Sequence, residues 1–282
     1  MIMSNNWYED LNKYIKLGEP KLEEKTVAWQ TAIGLQAVDG LTTSQYLLET
    51  AKENIEGKIT IEEANARISN YYENRFDRYA IETGTKEADI VAGRITALLA
   101  EKAFSFTPAA WMSIHRYLFK DVFMHAGEIR TYNIYKNEWV LNGKSVFYAS
   151  YDSIPMTMEY DFKTEKAFSY QNLSRNEIIK HLAQFTCDIW QIHPFGEGNT
   201  RSTAVFIIKY LSSLGYSISQ ECFAKKSWYF RNSLVRANYN DLPNDIHATT
   251  LYLERFFENL LFGGNNELKN RYLHIAWQDN QK

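Results

Sequence analysis

An abrupt break between two apolar helical stretches constrains this chain more than any other feature. Ser174-Arg175-Asn176-Glu177 has the spacing of a capping box, in which a serine and a glutamate three residues on satisfy each other's backbone donors. Ile178, Leu182, Phe185, Ile189 and Ile192 follow at helical spacing and form one apolar stripe. Pro194 must end that helix, because it has no N–H to donate and its ring clashes with the preceding turn. A helical pattern resumes at Arg201 and runs to Leu214, closed by Gly215. The fold therefore has to bury two helices joined by the bend His193-Pro194-Phe195-Gly196-Glu197-Gly198-Asn199-Thr200-Arg201.

The rest of the chain predicts mostly helix. Residues 1–25 are polar and mixed and look peripheral. An apolar stretch from Val27 to Val38 stops at Asp39-Gly40, where glycine accepts the left-handed cap. Thr42 to Gln45 and Thr60 to Glu63 repeat the capping-box spacing and open two more short helices, the first ending at Gly57. Asn74 to Thr85 is charged and poorly periodic, which suits a junction. Helical periodicity returns over Ala88–Ala103, from Thr107-Pro108 to about Gly127, over Trp228–Tyr239 and over Thr249–Leu261. One β signal stands apart. Trp139-Val140-Leu141 and Val146-Phe147-Tyr148 flank Asn142-Gly143, a step that tolerates positive φ and predicts a hairpin. The expected fold class is all-α with one β-hairpin flap and a small N-terminal helical unit.

Composition excludes several function classes. The 282 residues carry 31 basic and 34 acidic side chains, a net charge of −3, so no global basic field exists to bind nucleic acid. Cys187 and Cys222 lie in unrelated segments without zinc or disulfide spacing and read as free thiols in the interior. The first residues lack the apolar core of a signal peptide, and no apolar run approaches the roughly 18–20 residues that span a bilayer. A soluble, cytoplasmic protein without a membrane partner is expected.

The bend concentrates the chemistry. Gly196 and Gly198 let successive N–H groups turn inward, and the following helix adds a positive N-terminus, which together make an anion cradle. Arg201 supplies a fixed charge for phosphate oxygens. Glu197 is a hard oxygen ligand suited to Mg2+ shared with phosphates. His193 can take a proton from an incoming hydroxyl near neutral pH. Taken singly, each has a blander reading: a capping histidine, an ordinary turn, a solvated glutamate. Their coincidence points to phosphoryl or nucleotidyl transfer.

With these residues in view, the sequence resembles the Fic family, whose motif H-x-F-x-[DE]-G-N-G-R-x-x-R is matched at His193, Phe195, Glu197, Gly198, Asn199 and Arg201. Ile114-His115-Arg116-Tyr117-Leu118-Phe119 and Ala126-Gly127-Glu128-Ile129-Arg130 look like that family's first core helix and its exit. The resemblance covers roughly residues 86–275. It implies an ATP substrate, Mg2+, and transfer of AMP to a Tyr, Thr or Ser hydroxyl of a protein target. On that reading His193 is the general base, Glu197 holds magnesium, and Asn199 orients the α-phosphate. Gly196, Gly198, Thr200 and Arg201 line the nucleotide site. Val140, Leu141, Asn142, Gly143, Val146 and Phe147 would form a flap that holds the target as an added strand.

Two positions depart from the motif. Thr200 stands where the second glycine is usual, and Ala204 where the terminal, phosphate-gripping arginine would be; Arg231 and Arg236 are candidates to compensate. Residues 26–75 resemble a small antitoxin fused to some Fic proteins, with Leu35 to Gly40 at the inhibitory motif and Asp39 and Gly40 as its acidic end. The implied role is weak or altered inhibition. Protein AMPylation is the leading reading. A phosphotransferase, an enzyme that removes AMP, and a catalytically weakened regulator remain open, as do self-modification and a homo-oligomer.

Overall fold

The computed structural model describes residues 6–73 and 83–277. Among them helix predominates and no β-ladder forms, only an isolated bridge between Asp241 and Ile246. Packing separates two compact units, Met1–Ala103 with Phe223–Lys225, and Phe104–Cys222 with Lys226–Lys282. No helix of the described residues is long and apolar enough to cross a membrane.

The first unit holds α1 (Trp7–Lys16), α2 (Pro20–Gly34), α3 (Gln45–Ile55), α4 (Ile61–Glu73) and α5 (Thr83–Ala100). The N-terminus is less peripheral than its composition suggests. Helix α1 buries Tyr8, Leu11 and Tyr14, a three-residue stripe too short to stand out among charges. Helix α2 starts at Pro20 and passes into a 3-10 turn over Leu35–Asp39 that Gly40 closes at φ 71°. Asp39 and Gly40 are exposed there. The cap of α3 is Ser44, whose hydroxyl accepts from Leu47 N, rather than Thr42. The box at Thr60 forms as expected, with reciprocal bonds to Glu63 of 2.7 and 3.2 Å. The expected junction lies largely outside the described residues. Helix α5, which the sequence assigns to the core domain, packs instead on α2 and α4 and buries Ala88, Val91, Ala92 and Ile95. The boundary by packing thus falls at Ala103, not near residue 86.

The second unit holds α6 (Pro108–Phe119), α7 (Ile154–Ala167), α8 (Arg175–Ile192), α9 (Asn199–Ser213), α10 (Gln220–Ala237, kinked at Lys226) apart from its residues Phe223–Lys225, and α11 (Leu251–Phe262). Thr107 caps α6, and Ser174 with Glu177 closes the box on α8. Helix α6 ends at Phe119, short of the expected Gly127, because Lys120 turns to ψ 133° and Asp121 follows at φ 63°. Helix α7 has no counterpart in the sequence reading. Its surface mixes charged residues with exposed Met156 and Tyr160, and its packing rests on Ile154, Met158, Phe162 and the buried Glu165. Tyr170 and Tyr210 hydroxyls donate to Glu165 at 2.5 Å, and His181 lies 2.6 Å from its other oxygen, so the buried carboxylate is fully engaged. Every residue of α9 from Asn199 to Leu211 is buried, which makes it the central helix of this unit. Phe106, Trp111 and Phe162 pack on its Phe206 at centroid distances of 5.3–6.2 Å, and Phe185 packs on Phe106 and Phe162 at 5.8 and 6.3 Å. Both cysteines are free and buried.

Candidate active site

The bend between α8 and α9 is built from the inside out. Phe195 is wholly buried, stacked on His115 at 3.7 Å and edge-on to Trp111 at 5.7 Å, so the loop is pinned by a core residue at its middle. Asn199 closes the bend on itself: its Oδ1 accepts from Phe195 N at 2.9 Å and its Nδ2 donates to Phe195 O at 2.7 Å. The role expected of Asn199, orienting a phosphate, is thus joined by a structural one that occupies the amide oxygen. His115 adds a second tie. Its Nδ1 accepts from Gly127 N, which leaves Nε2–H to donate to Glu197 O, both at 2.8 Å. Gly198 caps α9 at φ 76°, and a side chain there would meet the Phe119 ring at 2.4 Å, so conformation and space both demand glycine.

His193 ends α8 in the left-handed region at φ 48°, uncommon for a residue with a side chain. Its carbonyl accepts from Arg130 Nε at 2.8 Å. The buried Arg130 guanidinium also donates to the carbonyls of Tyr132 (2.6 Å), Ala149 (2.5 Å) and Ile192 (3.3 Å). One side chain therefore ties the end of α8 to the segments on either side of the flap. Nδ1 of His193 lies 3.0 Å from Trp190 O, an acceptor only, so Nδ1 carries the proton and Nε2 keeps its lone pair. Burial, followed by the charge of Lys136, holds the imidazole well below its ordinary pKa, and the ring is neutral at pH 7.

The remaining loop residues divide by environment. Arg201 is buried with its guanidinium 4.8 Å over the Phe119 ring. Thr200, the first departure from the motif, has a local reason: its hydroxyl accepts from the buried Trp190 indole N–H at 3.0 Å. Ala204, the second, is wholly buried on α9. Glu197 is the exposed member, at 57% of its side chain, and Lys136 Nζ sits 2.9 Å from its Oε2. Among the described residues no group of three His, Cys, Asp or Glu side chains could cage a metal. One half-exposed carboxylate beside a helix N-terminus fits a magnesium only if phosphate oxygens and water complete its shell.

The flap differs from expectation. Asn142 and Gly143 do adopt positive φ, 54° and 83°, yet the flanking runs are not strands. Trp139–Leu141 is one 3-10 turn, and the reversal closes through Glu138 N to Lys144 O and Gly143 N to Glu138 O, both 3.0 Å. The reason is burial of neighbours. Val140 and Leu141 are both wholly buried, whereas a strand would send adjacent side chains to opposite faces. Val140, Leu141 and Val146 therefore anchor the segment, and Phe147, at 86% exposure, stands with Asn142 and Gly143 on its open side. Glu138, not singled out from the sequence, is buried in a two-pronged pair with Arg231 at 2.6 and 3.1 Å. Arg231 is thereby committed to the flap. Arg236 is buried elsewhere in the unit, where its Nη2 donates to His247 O at 3.5 Å.

Parts of this chain are similar to known proteins. Residues 105–211 match the Fic/DOC family. A "Probable protein adenylyltransferase Fic" of Salmonella typhimurium is 25% identical over 48% of this chain and 62% of its own length. Its Escherichia coli namesake is 25% identical over 51% of this chain and 66% of its own. The chain thus spans less than two thirds of these relatives. Among solved structures, the N-terminal FIC domain of Bep8 from Bartonella sp. 1-1C has a TM-score of 0.49 at 17% identity, covering 65% of this chain and 88% of that one. BepC of Bartonella tribocorum, solved with AMPPNP, has the same TM-score at 18% identity, covering 65% and 90%. The bend His193 to Arg201 lies within the stretch that matches the Fic/DOC family.

Proposed function

We propose that this protein transfers AMP from ATP to a side-chain hydroxyl of a protein target. The observation that carries the reading is the state of His193: neutral, with Nδ1 tied to Trp190 O and Nε2 left as acceptor, in the bend that leads into the N-terminus of α9, a helix end of the kind suited to anions. The distant relatives named as probable protein adenylyltransferases point the same way.

In this mechanism the first-turn N–H groups of α9 and Arg201 hold the phosphates, and Glu197 would hold magnesium, which when bound would neutralise phosphate charge. The target hydroxyl lies against His193 Nε2. Its oxygen attacks the α-phosphorus while Nε2 takes the proton, and the bond to the bridging oxygen breaks so that pyrophosphate leaves. The products are target-O-AMP, pyrophosphate and one proton. Phosphate charge near the imidazole raises its basicity against the lowering by burial, which favours proton capture once nucleotide is bound.

The test uses ATP labelled at the α- or the γ-phosphate, incubated with the full chain and with cell lysate. Transfer of the α-label alone supports AMPylation. Transfer of the γ-label alone supports a phosphotransferase, the second reading that the buried Ala204 keeps in play. His193→Ala should abolish either transfer while still binding nucleotide. An inhibitory role for the exposed Asp39 is a separate proposal: Asp39→Ala raises transfer if it holds and leaves it unchanged if it does not.

A further inference from the structure

Three cations act on His193 through space: Lys136, Arg231 and Arg130, with Lys136 the strongest. Two of them are occupied by the protein. Arg130 spends its donors on four carbonyls, and Arg231 is locked two-pronged on the buried Glu138. Lys136 is held differently. Its backbone is fixed at the root of the flap, where its N–H donates to Ser145 Oγ at 3.2 Å. Its ammonium rests on Glu197 Oε2 at 2.9 Å, opposite a carboxylate that is more than half exposed. An ion pair of this kind contributes little and exchanges easily.

The carboxylate sits two residues before the first residue of α9, so the ammonium stands beside the anion cradle. A nucleoside polyphosphate laid on that helix end brings several negative charges next to Glu197. A flexible four-carbon stem with three donors can leave the carboxylate and follow those charges outward. Helix α9 itself offers no cation one turn further on, where Ala204 is wholly buried.

We propose that Lys136 grips the distal phosphates of the bound nucleotide, so that the root of the flap sets the preference for a nucleoside polyphosphate over a monophosphate. The proposal rests on the nucleotide reading above and deepens it. Without nucleotide Lys136 neutralises Glu197; with nucleotide bound it passes to the phosphate chain and leaves the carboxylate to its cation.

Calorimetry of the full chain with ATP and with AMP, in magnesium, tests this on wild type, Lys136→Ala and Lys136→Arg. Loss of one charge-assisted contact should weaken ATP about tenfold or more in the alanine variant and leave AMP within about twofold. Arginine should restore most of the ATP affinity. Unchanged ATP affinity in Lys136→Ala, or an equal fall for both nucleotides at an unchanged melting temperature, overturns the proposal. A wild-type chain that binds neither nucleotide overturns the nucleotide reading itself, and the role of Lys136 with it.

Discussion

The bend after α8 and the flap before α7 are both short connections, yet they are held in opposite ways. The bend is fixed by its own residues: Phe195 in the core, Asn199 bonded back to Phe195, Gly198 pressed against Phe119. The flap is fixed from outside, by Arg231 on Glu138, Arg130 on Ala149 O, Gln191 on Phe147 O and Ile275 on Val140 O. A loop that carries its own constraints writes them into a short motif. A loop held by distant partners does not, and its local propensity can be overruled.

Several variants sharpen or break this contrast. The largest effect is expected at His193, where alanine should cut transfer by about 10²–10⁴-fold while calorimetry still detects ATP. Retained transfer would remove the bend from the chemistry. Arg130→Ala comes next. It leaves four carbonyls without their buried donor and should cost on the order of 3 kcal/mol in denaturant unfolding, with lysine recovering only part. A loss under about 1 kcal/mol would mean that the bend and the flap do not depend on this shared guanidinium.

A third variant concerns pH. Burial lowers His115 to about 4, against an ordinary value near ~6.5. Above the ordinary value both folded and unfolded states are neutral and the contribution is complete. As pH falls toward 4, the unfolded chain takes a proton that the fold refuses, so stability drops. Between pH 7 and 5 the loss should be about 2 kcal/mol from this residue. His115→Asn should flatten that part of a urea-melt series, and an equally steep series would place the protonation elsewhere. The smallest effect belongs to the flap. Phe147→Ala should change stability by less than about 0.5 kcal/mol, because the side chain is exposed, while weakening transfer to a protein target more than nucleotide binding. Equal transfer by both forms would deny that side chain a role in target capture.

Much of the scaffold was legible in the residues. The boxes at Thr60 and Ser174, the cap at Thr107 and the stop at Gly40 are satisfied by atoms within a few residues, so sequence spacing suffices to place them. Helix α7 was not legible, because Glu165 is buried by partners on other segments, Tyr170, His181 and Tyr210. In a periodicity count it reads as one more surface charge. The place of α5 was equally hidden. Its apolar face is evident, but which neighbour it covers is decided by shape and not by pattern.

For the candidate site, the sequence by itself determined which residues share the bend, since His193, Glu197, Gly198, Asn199 and Arg201 lie within nine positions and each type is suited to phosphate chemistry. Only the tertiary structure decided their states. The tautomer of His193 depends on Trp190 O, the use of Thr200 on the Trp190 indole, and the setting of Glu197 on Lys136, sixty-one residues away. The physical reason is that residue type limits what a group is able to donate, accept or ligate, whereas burial and long-range partners fix which of those options is taken.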